Sequence, residues 1–148
     1  MIRKAMGSII KQVCGLKNDA EKISFLRQNC SAPQFKTVLW LWTTDKVHFN
    51  LPEGKPPYDH KNDGYDEGAE EEILYMEARK LINVTDHGVM KHQHKFKREQ
   101  WFIDLIKDVH PDDADLLCWV KDKTFPDGLN RNIIMKAIPS LKSMDNSC

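Results

Sequence analysis

No stretch of the 148-residue chain is long and apolar enough for a membrane span; the richest run, Phe35 to Trp42, falls far short of the roughly 20 residues a spanning helix needs. Cysteine is scarce. Cys14, Cys30, Cys118 and Cys148 lie at least 16 positions apart with no Cys-x-x-Cys pair, which speaks against a zinc knuckle or a thioredoxin-type motif and favours reduced, mostly buried thiols. Net charge is absent as well, 22 Lys+Arg balancing 22 Asp+Glu, and this argues against a uniformly basic, histone-like binder. Arg3 and Lys4 precede an apolar run, but Lys11 and Gln12 break it. No secretory leader and no membrane partner are therefore expected, and the expected location is the cytoplasm.

What is present is an ordinary globular composition. With 41% hydrophobic and 30% charged residues and a mean hydropathy of -0.57, the chain is too apolar to be wholly disordered. Its length suits one domain, expected over residues 1–142, with a flexible tail at 143–148. The neutral total hides a segregation of charge. Residues 1–52 carry a surplus of five cations, residues 53–90 a surplus of six acids, and residues 91–148 a surplus of one cation.

Apolar spacing predicts an all-α fold, a compact bundle of about six or seven short helices. Ile2, Met6, Ile9, Ile10, Val13 and Cys14 recur at intervals of three and four, one buried helical face. Asn18 followed by Glu21 resembles a capping box that opens a second helix over about 19–29. Pro33 suits a first turn, and a third helix is expected from Phe35 to Asp45. Its run Val38-Leu39-Trp40-Leu41-Trp42 is apolar nearly all round, so it either sits at the centre of the core or is partly covered by another chain. Lys46 to Asn50 alternates like a short extended segment. Residues 53–68, rich in Pro, Gly and acid, read as one long surface loop. Helical spacing returns over Ala69 to Leu81 and over 95–108; His110-Pro111-Asp112-Asp113 starts another helix, and Asn130 caps a last one that Pro139 ends. Trp40, Trp101 and Trp119 fall on apolar faces.

Little in the chain points to catalysis. Lys61-Asn62-Asp63-Gly64 matches the K-x-D-G core of nucleotidyltransferases, but it lies in an acidic loop, Asp66 follows, and no strands are expected to build the pocket that would activate the lysine. His87, His92 and His94 fit no familiar metal-ligand spacing. Neither a metal, nor a cofactor, nor a catalytic residue is expected.

Two basic clusters are better candidates. Lys91, Lys95, Lys97 and Arg98 place four positive charges at the start of a helix and in the loop before it, enough for several phosphate contacts. Lys121, Lys123, Gly128, Asn130, Arg131, Asn132 and Lys136 surround a glycine that leads into a polar helix start, where free amides and the helix dipole suit a phosphate oxygen. The alternatives are a solvated helix face for the first and a plain helix–turn–helix corner for the second.

The stretch Val120 to Leu141, Val-Lys-Asp-Lys-Thr-Phe-Pro-Asp-Gly-Leu-Asn-Arg-Asn-Ile-Ile-Met-Lys-Ala-Ile-Pro-Ser-Leu, resembles the end of the N-terminal DNA-binding domain of bacteriophage ATP-dependent DNA ligases. Lys123, Gly128, Lys136, Pro139 and Leu141 stand in that family's order. Ile9 to Trp42 resembles its paired first helices. The whole chain also resembles a family of small proteins from tailed phages. The resemblance implies a helical module that grips the minor groove and backbone of duplex DNA, acting in phage replication, repair or transcription in the cytoplasm of an infected host. The adenylation and OB-fold domains that follow in ligases are not in this sequence, so no ligation is expected. The alternative function is a protein-interaction module, directed at a phage or host replication or transcription enzyme, that keeps the ligase-domain fold without DNA affinity; the acidic segment 53–90 would suit such a face.

Overall fold

The segment that is apolar on every side becomes the centre of the molecule. In the computed structural model, which describes residues 4–54, 56, 69–88 and 94–145, helix α3 spans Pro33–Thr43. Its Val38, Leu39, Leu41 and Trp42 are at most 1% exposed and Trp40 is 6% exposed, so the chain's own elements cover it. Around it lie α1 (Met6–Cys14), α2 (Asp19–Asn29), α4 (Ala69–Glu77), a 3₁₀ segment (Ala78–Val84), α5 (Lys95–Asp108), α6 (Pro111–Asp122), α7 (Arg131–Ala137) and α8 (Leu141–Asp145). Among the described residues there are eight α-helices and no strand, which makes the fold an all-α bundle. Contacts to α3 come from α4, the 3₁₀ segment, α6, α7 and α8. No described helix is long and apolar enough to cross a membrane.

Local chemistry explains most of the helix starts. The Asn18 side chain accepts the Glu21 amide at 2.9 Å, and Asn130 accepts the Ile133 amide at 3.0 Å, each satisfying a donor that the first turn leaves open. Two further caps are histidines. His94 Nδ1 accepts the Phe96 amide at 3.1 Å and His110 Nδ1 accepts the Asp112 amide at 3.0 Å. Pro33 and Pro111 occupy first turns, where their missing N–H costs nothing.

Three expectations need correction. Helix α3 ends at Thr43, two residues before the expected Asp45, because Thr44 is already extended with ψ 145° and the Thr43 hydroxyl turns back onto the Leu39 carbonyl at 2.9 Å. The helix expected over Ala69 to Leu81 tightens to 3₁₀ after Glu77. That change of pitch brings the Val84 carbonyl to the Asn50 amide at 2.9 Å and the Asp86 amide to the His48 carbonyl at 2.9 Å. The extended segment 46–50 accordingly makes a single bridge, Phe49 to Thr85. The tail expected from Ser143 is helical through Asp145, anchored by Leu141 at 1% exposure; residues 146–148 lie outside the described residues. So does most of the expected loop 53–68, of which Glu53, Gly54 and Pro56 are described.

Helices α1 and α6 meet backbone to backbone. A carbon added at Gly7 would lie 2.0 Å from the Asp112 carbonyl oxygen, so only glycine allows the approach. Polar contacts then lock it. The Gly7 amide donates to Asp113 Oδ1 at 2.6 Å, the Ser8 hydroxyl donates to Asp112 Oδ2 at 2.6 Å, and Lys11 bridges Asp112 and Asp115 at 2.8 and 2.7 Å. On the far side of the core the Trp42 ring stacks on Phe125 with centroids 4.7 Å apart, while its Nε1 donates to the Thr124 carbonyl at 2.7 Å. Of the three tryptophans placed on apolar faces, Trp40 is buried and Trp101 and Trp119 are half-buried.

Gly7→Ala is expected to destabilise the domain by about 1–3 kcal/mol, as overpacking does elsewhere, and to lower its melting midpoint. At Gly15 the nearest atom would be 3.5 Å away, so Gly15→Ala should leave the midpoint nearly unchanged. Melting curves followed by circular dichroism check both.

Candidate nucleic-acid interface

The cations expected to hold phosphate at the α6–α7 corner are mostly occupied within the protein. Lys121 has a side chain only 1% exposed, paired with the Asp122 carboxylate, and its ammonium donates to the Pro52 carbonyl at 2.7 Å. It ties down the chain after Asn50 and presents no charge to solvent. Lys123 adopts the left-handed conformation that ends α6, φ 58°, and sends its ammonium to the Leu41 and Thr44 carbonyls. Arg131 donates through Nε to the Thr43 carbonyl at 2.7 Å. Both therefore close the C-terminal end of α3, where a cation also complements the helix dipole.

Gly128 does permit a close backbone approach, but the approaching group is the end of α1. Its φ is 92°, and an added carbon would stand 2.6 Å from the Cys14 carbonyl oxygen. Asn130 uses its side chain to cap α7, and α7 is only seven residues long. Lys121, Lys123, Gly128, Asn130 and Arg131 of the expected phosphate cradle thus each serve a contact within the fold, with Asn130 and Arg131 remaining exposed. Asn132 and Lys136 face outward from α7.

At the other cluster, Lys95 and Lys97 are exposed on the first turn of α5. Arg98 is half-buried and donates to the Asn50 carbonyl at 3.2 Å; Lys91 lies outside the described residues. Beside this turn runs a groove of about 330 Å³ lined by Leu51, Pro52, Pro56, Phe96 and Ile103 among others, with Phe96 64% exposed. The histidines do not converge. His87 Nε2 lies 2.9 Å from the Lys46 carbonyl, His94 caps α5, and His92 is outside the described residues, as is the Lys61 motif. Among the described residues no three His, Cys, Asp or Glu side chains are grouped to hold a metal ion.

A third basic surface was missed by local reading. Arg27 on α2 donates through Nε to the Ala137 carbonyl at 3.1 Å and through Nη2 to the Lys136 carbonyl at 3.0 Å, so its guanidinium is fixed at the end of α7. It borders a cleft of about 240 Å³ with Ser31, Lys36, Pro139 and Ser140. Lys136 and Lys142 are exposed on α7 and α8, which flank that cleft. No carboxylate stands within ion-pair distance of Arg27, Lys36, Lys136 or Lys142 among the described residues. Cys30 also lines the cleft, but burial pushes its thiol up to about 12, which leaves it unreactive. Lys136 was already named with the second basic cluster; for Arg27 and Lys36 the surplus of cations in residues 1–52 was the only signal, and it named no position.

A family model matches residues 9–127, from within α1 to the turn after α6. The chain belongs to DUF6433, a family of unknown function. No curated protein and no solved structure matches it. The DUF6433 match takes in Lys123 and the α3 carbonyls it meets, and with them Arg27 and Lys36; Arg131, Lys136 and Lys142 lie beyond it.

Lys121→Met keeps the buried stem but leaves the Pro52 carbonyl and the Asp122 carboxylate without their donor, an expected loss of about 1–3 kcal/mol. Urea melts check the magnitude. Faster hydrogen exchange at the Gly54 amide, which donates to Asp122 Oδ2 at 3.1 Å, would locate it.

Proposed function

We propose that this DUF6433 protein is a non-catalytic binder of duplex DNA that grips the phosphodiester backbone with the face formed by α2, α7 and α8, and that it serves phage DNA replication, repair or transcription. The observation that supports this reading is the set of four cations around the α2–α7 cleft, Arg27, Lys36, Lys136 and Lys142, none with a carboxylate partner among the described residues. Lys121 and Lys123 at the neighbouring corner turn their ammonium groups into the fold, whereas Lys136 and Lys142 are exposed, as is Arg27 although it donates to two carbonyls. Arg27 is already oriented by two carbonyls, which lowers the entropy lost when it meets a phosphate. Asn132 on the same helix adds an uncharged donor, and Ser31 and Ser140 bring hydroxyls to the cleft. The resemblance to ligase DNA-binding domains agrees with a backbone grip and with little sequence preference.

A second reading rests on a different surface. The groove beside exposed Phe96 would suit an apolar side chain of a protein partner, the arrangement expected of an interaction module aimed at a replication or transcription enzyme.

Fluorescence anisotropy with a labelled duplex at several salt concentrations separates the two. Four phosphate contacts predict a slope of log affinity on log salt of about −3.6, at about −0.9 per contact. Lys136→Glu combined with Lys142→Glu should remove about half of that slope and most of the low-salt affinity, whereas Phe96→Ala should change neither. No binding at low salt, or binding unmoved by the double reversal, would discard the DNA reading and leave the groove as the functional surface.

A further inference from the structure

A flat basic face is enough to grip a phosphodiester backbone, yet the surface between α2 and α7 is hollowed into a cleft of about 240 Å³. It is lined by the polar residues Arg27, Ser31, Lys36 and Ser140 and by Ile138 and Pro139, and no acid is among its described lining residues. Two other hollows differ. The groove beside Phe96 carries Glu53 and Glu99, and the one between α4 and α5 carries Glu77, Asp104 and Asp108.

Arg27 is exposed and uses Nε and one N–H of Nη2 on the Ala137 and Lys136 carbonyls. A guanidinium holds five N–H donors in a fixed fork, so about three remain, on Nη1 and Nη2. The two carbonyls orient that fork before any ligand arrives. Among the described residues the Lys36 ammonium and the Ser31 and Ser140 hydroxyls have no hydrogen-bond partner. An internal phosphodiester offers one negative charge, and its chain runs on at both sides. A terminal phosphate is a monoester with three unesterified oxygens and a charge of about −1.5 to −2 at pH 7. Two cations and several free donors around one hollow match the second group, which can enter end-on.

We propose that the α2–α7 cleft is a pocket for a phosphate monoester, the terminal phosphate of a DNA strand, held by the free donors of Arg27, the Lys36 ammonium and the hydroxyls of Ser31 and Ser140. The source of the phosphate rests on the duplex-DNA reading above; the chemistry of the pocket does not. Charge-assisted hydrogen bonds to both cations supply the affinity, and the fork of Arg27 can take two phosphate oxygens at once. Pro139 and Ile138 on the wall offer apolar contact to the terminal sugar. Lys136 and Lys142, exposed on the helices that flank the cleft, meet the backbone leading away from the strand end. The protein would then sit at duplex ends in preference to duplex interiors.

Nitrogen-edited NMR of the full chain, titrated with methyl phosphate and separately with dimethyl phosphate, tests the chemistry without DNA. Methyl phosphate should shift the Ser31, Lys36 and Ser140 amides and the Arg27 Nε–H, and bind about tenfold more tightly than the diester. Its affinity should fall below about pH 6, where its second charge is lost. Fluorescence anisotropy then tests the source, with one duplex prepared bearing either 5′-phosphate or 5′-hydroxyl ends. The phosphorylated form should bind about tenfold more tightly, and Lys36→Gln should remove most of that difference. Equal shifts by the two esters, or none at the cleft, would overturn the pocket. A cleft that takes methyl phosphate while the two duplexes bind equally would overturn the DNA end as the source and leave a free monoester as the ligand. Failure of both duplexes to bind discards the DNA reading and the strand end with it, and the ester titration still decides the pocket.

Discussion

A helix whose C-terminal half is buried on every side has nowhere to send its last carbonyls, and the rest of this structure is arranged around that difficulty in α3. Its flanks are satisfied by apolar contact, Phe35, Val38, Leu39, Leu41 and Trp42 all lying at or below 1% exposure. Its C-terminal end cannot be, because burial of an unpaired carbonyl costs about as much as a hydrogen bond is worth in an apolar medium. Thr43 and Thr44 are each only 3% exposed there. The fold answers with charged donors from distant positions, Lys123 for Leu41 and Thr44 and Arg131 for Thr43. Those donors fix where α6 ends and where α7 begins, and the turn between them must pass close to α1. Gly128 is the residue that lets it.

The same constraint governs what the surface can do. A neutral chain binds a polyanion only where its cations are both concentrated and unmatched. At the α6–α7 corner Lys121 and Lys123 direct their charge into the protein, and exposed Arg131 has the Asp45 carboxylate 3.7 Å away. Across α7, at the cleft with α2, the balance reverses. Arg27 also caps a helix, donating to the Lys136 and Ala137 carbonyls, yet it remains exposed, with guanidinium donors to spare. One helix of two turns thus separates cations that hold the fold together from cations free to meet a ligand.

How much of this could be read in advance depended on the range of the interaction involved. The all-α class, the bounds of α5, the capping by Asn18 and Asn130 and the first-turn role of Pro111 rest on neighbours within four residues, and sequence carries that information in full. The central position of α3 was half legible, since an all-apolar run says that something covers it but not what. The uses of Lys121, Lys123 and Arg131 were illegible because their partners lie 69 to 88 positions away. A basic residue looks the same in sequence whether it caps a remote helix or faces solvent. Gly128 shows the limit most clearly: the need for a close approach was evident, while the identity of the approaching group, Cys14, was set by tertiary packing.

Acidic residues pose the mirror-image question, because α6 carries Asp112, Asp113, Asp115 and Asp122 and free carboxylates near a phosphate-binding face would weaken it. Each has an assignment inside the molecule. Asp112 and Asp115 are tied to Lys11, Asp113 is buried against Gly7, and Asp122 joins Lys121 to the Gly54 amide. Ion pairs at the partly exposed Lys11 contribute little to stability by themselves, and one ammonium offsets only part of the charge of two carboxylates, while Asp122 is matched one to one by Lys121. Matching on one side of the bundle thereby leaves the unmatched cations on the other side as the part of this neutral chain best able to attract a polyanion.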